Sequence, residues 1–397
     1  MHILQVTPYF APAYSYGGPP TSVHHLSKAL AERGHKLTIL TSDALDSTSR
    51  QPTKRAKNGL DIYYLKNLSN YLAWNHQLFL PFATDAFLRK RLTEFDVVHM
   101  HMFRTYQNIA VRRHSQRVGV PYVLSAHGSF PRIVRKRLAK GLYDIIVGQS
   151  VVRDASRLIA VAEAEARQYQ TMGVPVSKIE VIPNGIAASE FLGLPEGGRF
   201  SRRHGLEGKR LVTYVGRLNA RKGLETLVES FGELAESRDN VALVLVGPDE
   251  GYRRHLESMI KRIRPRAPVV FTGLITLPQK LEVFVDSDVI VYPGAFEIFG
   301  LVPFEALLCG TPVIVADDSG CGEIIAKADA GLTVHPGNSK ALSKAISTSL
   351  DGGALIDAKV ERGKRFVQQE LDWRKIAQRT ENVYDQVVCT GKTNRSH

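Results

Sequence analysis

The stretch Pro293-Gly-Ala-Phe-Glu297-Ile-Phe-Gly300-Leu301-Val-Pro-Phe-Glu305-Ala-Leu-Leu-Cys-Gly310-Thr-Pro312 decides the fold. It follows a β-branched run, Val289–Tyr292, and leads into an apolar helical pattern over Val302–Leu308. A strand therefore ends, a turn carries Glu297, and Gly300 opens a helix. The backbone N–H groups of Gly300 and Leu301 have no partner within such a helix, and the helix dipole favours an anion beside them. Gly300 has no side chain to block close approach. Glu297 and Glu305 stand eight residues apart, one in the turn and one on the first helical turn. Carboxylates are poor phosphate ligands but good acceptors for sugar hydroxyls. The stretch thus predicts a phosphate at the helix start, flanked by hydroxylated groups.

The same grammar recurs on both sides of this stretch. In Val215-Gly216-Arg217-Leu218-Asn219-Ala-Arg221-Lys222-Gly223-Leu224 a strand again runs into a loop and a helix, and Arg217 and Lys222 could converge on one diphosphate. Short strand patterns recur over Ile3–Thr7, Lys36–Thr41, Asp61–Leu65, Asp96–His101, Tyr122–Ala126, Leu158–Val161 and Glu180–Ile182. They resume at Leu211–Val215, Val241–Val246, Val269–Thr272, Val289–Tyr292 and Val313–Ala316. Helical patterns lie between many of them, as at Pro20–Arg33 and Leu224–Leu234. Such alternation predicts βαβ units and parallel sheets, with ligands at the carboxyl ends of the strands. The pattern restarts after an irregular stretch, Gly193–Gly208. This predicts two doubly wound α/β domains, residues 1–185 and 186–371, joined near Pro183-Asn184-Gly185. The last helical pattern, 372–388, is expected to cross back onto the first domain, and 390–397 to form a disordered polar tail.

Composition narrows the class. The chain has 397 residues, 44% apolar and 23% charged, which excludes disordered, collagenous and coiled-coil chains. No apolar run is long enough to span a membrane, and the N-terminus has no secretory pattern, so a cytoplasmic protein is expected. Cys309, Cys321 and Cys389 show no CxxC spacing, which fits a reducing compartment. The formal net charge is +13. Residues 1–185 hold 24 Lys+Arg against 12 Asp+Glu, whereas 186–397 hold 28 against 27, so nearly all the positive field belongs to the first half. That asymmetry points to an anionic partner or to solubility charge alone.

Within the first half, Arg132, Arg135, Lys136, Arg137 and Lys140 form a basic helical run. The stretch Asn70–Leu88 interleaves Tyr71, Trp74, Phe79, Phe82 and Phe87 before Arg89-Lys90-Arg91. These features fit either an anionic membrane surface or solvated faces over core helices. Tyr16-Gly17-Gly18-Pro19-Pro20 lets a loop backbone approach a ligand but lacks the third glycine of a dinucleotide fingerprint. His127, at the end of Ser125-Ala126-His127-Gly128, reads as structural or as a hydrogen-bonding group for a substrate hydroxyl or developing charge. His99 and His101 share one strand face, and Asp317-Asp318 follows a strand. Neither pair has a third ligand nearby, so no metal is expected.

Taken together, the E-x7-E run, the Gly-Arg-Leu…Lys-Gly loop, the Pro-Asn-Gly linker and the early Gly-Gly loop resemble the retaining glycosyltransferases of family four, over about residues 1–388. The resemblance implies the GT-B architecture: two Rossmann-like domains with an active-site cleft between them. It implies that Arg217 and Lys222 hold a donor diphosphate beside Gly216, Gly300 and Leu301, and that Glu305 takes the ribose hydroxyls. Glu297 would contact the donor sugar, and Phe299 would line the donor site. Gly17 and Gly18 would approach phosphate or sugar, and His127 would sit near the reacting carbon or O6. Leu274 and Ile275 would meet the base through backbone groups. His127, Glu297, Arg217 and Lys222 are then the candidate catalytic residues. The donor would be a UDP- or GDP-hexose, used without a metal or other cofactor. The loop Asp317–Glu323 departs from the family's usual glycine pair, which leaves the sugar open.

The leading expectation is a hexosyltransferase acting on a glycan or lipid-linked acceptor in envelope polysaccharide or glycolipid synthesis. It would lie at the inner membrane face, with Arg132–Lys140 toward membrane or acceptor. A same-fold epimerase, hydrolase or synthase with a soluble acceptor stands second. A nucleic-acid-binding protein stands last, because no nucleic-acid module is present. Oligomeric state is not readable.

Overall fold

The structure is a computed structural model and describes residues 1–52, 54–57, 59–130 and 141–393, with backbone alone at 54–57 and 391–393. The chain folds as two compact units, Met1–Gly185 with the segment from Trp373 onward, and Ile186–Asp372.

The first unit is built on β1 (His2–Val6), β2 (Lys36–Ser42), β3 (Lys54–Lys57), β4 (Leu60–Leu65), β5 (Val97–His101), β6 (Tyr122–Ser125), β7 (Arg157–Ala160) and β8 (Ile179–Val181). Their order is β3-β4-β2-β1-β5-β6-β7-β8. All neighbours pair in parallel except β3, which is antiparallel to β4. Side chains alternate between the two faces of each strand. Leu4, Val98, Leu124 and Leu158 enter one core. Ile3, Val97, Val123 and Ile159 enter another, which also takes Val23, Leu26 and Leu30 of the helix Gly18–Glu32 and Ile376, Tyr384 and Val387 of the closing helix Trp373–Thr393. Burial on both faces explains why these strands read as near-continuous apolar runs.

The second unit carries β9 (Arg210–Val215), β10 (Val241–Val246), β11 (Val269–Gly273), β12 (Val289–Tyr292), β13 (Val313–Ala316) and β14 (Leu332–Val334). The order is β11-β10-β9-β12-β13-β14, all parallel. Both sheets follow the doubly wound order in which strand direction of growth reverses beside the first strand, between β1 and β5 in one unit and between β9 and β12 in the other. Ligands of such sheets bind at that reversal, outside the carboxyl ends of the strands.

Some details differ from the sequence reading. β3 and β14 were not expected, being short and weakly apolar; β14 is recruited to the sheet edge by pairing with β13. A helix, Arg199–His204, forms inside the stretch read as irregular, with Phe200 buried as its anchor. The closing helix runs to Thr393, so residues 390–393 continue it instead of starting a tail, and 394–397 lie outside the described residues. The basic run 132–140 also lies outside them. Asn70–Leu88 forms two short helices, Asn70–His76 and Thr84–Arg91, with Phe79 buried against Tyr9 and Tyr16 while Tyr71 and Phe82 are exposed.

Close packing at the strand ends depends on glycine. A Cβ at Gly322 would lie 2.0 Å from the Ala316 carbonyl oxygen. Gly337 has φ +79° but open space around it. Gly322→Ala is expected to destabilise the second unit by about 2 kcal/mol or more, several degrees of melting temperature. Gly337→Ala bears only its left-handed backbone, about 1 kcal/mol. Equal melting temperatures for the two variants would show that the close approach carries no stability.

Candidate active site

At the reversal point of the second unit the loops after β9 and β12 touch through their backbones. Gly223 has φ +65°, and a Cβ there would lie 2.4 Å from the Pro293 carbonyl oxygen. Only glycine lets the loops come that close. The contact brings Lys222 to the turn carrying Glu297, and Lys222 Nζ lies 2.5 Å from Glu297 Oε1. Tyr292, the last residue of β12, donates its hydroxyl to Glu297 Oε2 at 3.1 Å, and Lys222 Nζ sits 5.6 Å from its ring centre. Burial, then the Glu297 charge, pushes the Tyr292 hydroxyl well above the usual phenol range, so it stays a donor. Gly300, with φ +67°, packs on the same ring; a Cβ there would meet it at 2.8 Å. The helix Leu301–Leu308 starts immediately after it.

The other candidates of this unit occupy neighbouring strand ends. Arg217 follows Gly216, and its Nη1 lies 2.5 Å from Glu250 Oε1. Asn219 Nδ2 donates to the other Glu250 oxygen at 2.8 Å. Arg217 and Lys222, expected to converge on one group, are thus each held by a different carboxylate. Glu305 Oε2 is 2.5 Å from Lys280 Nζ, on the helix Leu277–Asp286. Leu274 and Ile275 lie between β11 and that helix, Leu274 being exposed. Phe299 is buried against Phe304, ring centres 5.1 Å apart, so its side chain packs into the core. Asp317 faces His335 at 3.3 Å, while Asp318 accepts the Phe296 N–H at 3.4 Å and bridges back to the Glu297 turn.

In the first unit, Gly17 has φ +107° and turns the chain into the helix beginning at Gly18. Stacked rings of Tyr9 and Tyr16, 4.8 Å apart, support that turn. His127 also has a positive φ, +49°, just beyond β6. Its Nε2 is 2.9 Å from His101 Nδ1, and its buried Nδ1 has no hydrogen-bond partner among the described residues. Burial lowers His127 to about 4, keeping it neutral. His99 and His101 are buried side by side, ring centres 4.0 Å apart, and hydrogen-bond to neighbouring side chains. The loop holding His127 is pinned from the helix Glu163–Gln170. Glu165 accepts the N–H groups of Gly128 at 2.7 Å and Val161 at 2.8 Å, and Tyr169 Oη accepts the Ala126 N–H at 2.9 Å.

Sequence reading missed Glu250, Lys280, Tyr292 and Glu165. Glu250 had a usable signal: it sits in the Gly-Pro-Asp-Glu-Gly loop after β10, another strand end on the same sheet edge. Lys280 and Glu165 had none, because Lys280 pairs with Glu305 and Glu165 reaches the His127 loop through Gly128, both distant in sequence.

Two parallel doubly wound units of this kind, with a cation, a carboxylate and a helix start at the reversal point, make up the GT-B class of glycosyltransferases. The match to known proteins agrees. Residues 16–190 match the model of Glycosyltransferase Family 4, and residues 199–366 that of Glycosyl transferases group 1. The chain belongs to the family-four glycosyltransferases and is a glycosyl-transferring enzyme. It is 28% identical to an uncharacterized glycosyltransferase of Methanocaldococcus jannaschii, over 97% of this chain and 98% of that one. Its fold is similar to a sucrose-phosphate synthase from Thermosynechococcus elongatus, with TM-score 0.78, 21% identity and coverage of 98% and 100%. It is also similar to Anabaena HepE in complex with UDP-glucose, with TM-score 0.74, 20% identity and coverage of 97% and 100%.

Glu165 supplies a test of the His127 loop. Burial raises its carboxyl to about 7, against the pull of the two N–H donors. A carboxyl whose folded pKa is raised contributes stability that is complete below about pH 4.5 and is lost as pH rises through about 7. Wild-type melting temperature should therefore fall between pH 5 and 8 more steeply than that of Glu165→Gln. Parallel curves would show that Glu165 does not titrate in the folded chain.

Proposed function

We propose that this enzyme moves a hexose, with retention of configuration, from a UDP- or GDP-hexose to a glycan or lipid-linked acceptor, without a metal. The observation that carries the reading is the meeting of Lys222, Glu297, Tyr292 and Gly300 at the reversal point, one helical turn from Glu305. In this reading the donor diphosphate takes Lys222 and Arg217 from their carboxylate partners and lies against the N–H groups of Gly300 and Leu301. Breaking the sugar–phosphate bond moves negative charge onto the phosphate. Fixed cations and N–H donors stabilise that charge more in the transition state than in the bound donor. Lys222 and Arg217 supply the charge a metal would otherwise bring.

Glu297, relieved of Lys222, accepts hydroxyls of the donor sugar, and Glu305 accepts those of the ribose. Leu274 and Ile275 meet the base through their backbone. Gly17 and Gly18 leave room for phosphate or sugar, and His127 accepts a sugar hydroxyl. The leaving phosphate takes the acceptor's proton as the acceptor attacks from the same face.

The reading places the chain at the cytoplasmic surface of a membrane. No helix among the described residues is long and apolar enough to cross one. Leu142, Ile145 and Ile146 are 60%, 70% and 65% exposed, immediately after the basic run Arg132–Lys140. Apolar side chains beside clustered cations suit an anionic bilayer, at about 1 kcal/mol per well-placed basic residue.

A melting screen against UDP, GDP, ADP and their common hexose conjugates tests the donor. A ligand at about a hundred times its dissociation constant adds about 2.7 kcal/mol, a shift of a few degrees. One nucleotide family should stabilise the wild type and not Glu305→Ala. Lys222→Ala should lower turnover by about tenfold to a thousandfold. No shift with any nucleotide, or unchanged turnover in both variants, refutes the reading. For the membrane, low-salt sedimentation with anionic vesicles should capture the wild type and lose an Arg135/Lys136/Arg137 triple-alanine variant. Equal behaviour of the two refutes that part.

A further inference from the structure

A buried chain of hydrogen bonds ends at His127, and its chemistry determines what His127 offers a substrate. Gln5 Nε2 donates to Tyr384 Oη at 3.4 Å. That leaves the Tyr384 hydroxyl to donate to His99 Nδ1 at 2.6 Å, and His99 Nε2–H to donate to Ser125 Oγ at 2.8 Å. On the other side of the same amide, Gln5 Oε1 lies 2.5 Å from His101 Nε2. With the amide nitrogen turned to Tyr384, the oxygen faces His101 and can only accept. His101 therefore carries its proton on Nε2.

A neutral imidazole has one N–H and one lone pair, so His101 Nδ1 is an acceptor and receives the Nε2–H of His127 at 2.9 Å. The end of the chain, His127 Nδ1, is then a buried lone pair with no donor among the described residues. The opposite orientation would end in a buried N–H with no acceptor, which folded proteins tolerate less well. Burial holds all three histidines below the ordinary imidazole range, His99 at about 3 and His127 at about 4. A charged, doubly protonated ring therefore does not disturb the order.

We infer that Gln5 and His101 are positioning residues that set the tautomer of His127, so that its Nδ1 accepts only from hydrogen-bond donors and the site favours a transferred sugar with a hydroxyl over one with a carboxylate. The inference rests on the proposed contact of His127 with the donor sugar. A hydroxyl can donate to the lone pair; an ionised carboxylate has no proton to give and is repelled. A site that hydrogen-bonds a substrate group discriminates strongly against an analogue unable to make that bond.

The test is a long-range proton–nitrogen NMR spectrum of the full chain labelled at histidine nitrogen, with His127→Phe to assign the signal. The wild type should show His127 protonated at Nε2 and bare at Nδ1. Gln5→Met removes both polar ends of the amide and should mix or reverse the tautomers. Gln5→Glu, whose carboxylate still accepts from His101 Nε2, should restore the wild-type pattern. Turnover of UDP-glucose relative to UDP-glucuronic acid should fall about tenfold in Gln5→Met and recover in Gln5→Glu. A proton on Nδ1 in the wild type, or an unchanged tautomer in Gln5→Met, overturns the inference; if Gln5→Met does not fold, the wild-type spectrum alone decides it. A shifted tautomer with an unchanged turnover ratio overturns the selectivity. The expected spectrum from a chain that no nucleotide stabilises overturns the transferase function and leaves the tautomer assignment standing.

Discussion

The backbone contact between Gly223 and Pro293 is the constraint on which the candidate donor site depends. A parallel sheet whose order reverses beside β9 has two strand ends there with no helix crossing between them. The loops after β9 and β12 meet in that space because glycine at 223 takes a left-handed backbone and has no Cβ. Lys222 then has one direction to point, toward the turn of Glu297. Tyr292 below and Gly300 beside it complete the arrangement. A side chain at 223 would part the loops, and the cation, the carboxylate and the helix start would no longer share one place.

Each cation of this site is already matched by a carboxylate: Arg217 by Glu250, Lys222 by Glu297 and Lys280 by Glu305. The Lys222 and Lys280 pairs are largely shielded, so the partners are ordered; the Arg217 pair is more exposed and worth less. Ordered side chains favour binding because less conformational freedom is lost when a ligand arrives. The first unit uses a different device. Its key imidazole is neutral and held by a file of buried neutral groups, so its character comes from proton order and not from charge. One unit relies on paired charges and the other on neutral hydrogen bonds.

Legibility varied with the kind of signal. Arg217, Lys222, Glu297, Gly300 and Glu305 could be picked out because each lies in a loop or helix start right after a clear β-branched strand. The apolar face of the first helix was legible from Val23, Leu26 and Leu30, which the structure buries. The packing of Phe299 on Phe304 was not legible, because an aromatic residue beside Glu297 looks the same in sequence whether it faces solvent or the core. The short edge strands β3 and β14 were not legible, since pairing with a neighbour, and not their own composition, makes them strands.

By itself, the sequence determined the α/β class, the places where strands yield to helices, and the residue types at the strand ends. These are local properties: apolar period, β-branching, and the glycines that let the backbone turn. Only the tertiary structure decided which side chains meet. Lys222 pairs with a residue 75 positions away, Lys280 with one 25 away, and Gln5 reaches Tyr384 across 379. It also decided the tautomer of His127, because that depends on a file of partners gathered from β1, β5, β6 and the closing helix. Contacts of this kind arise only when strands align in register and helices cover them, and no local pattern encodes the partner.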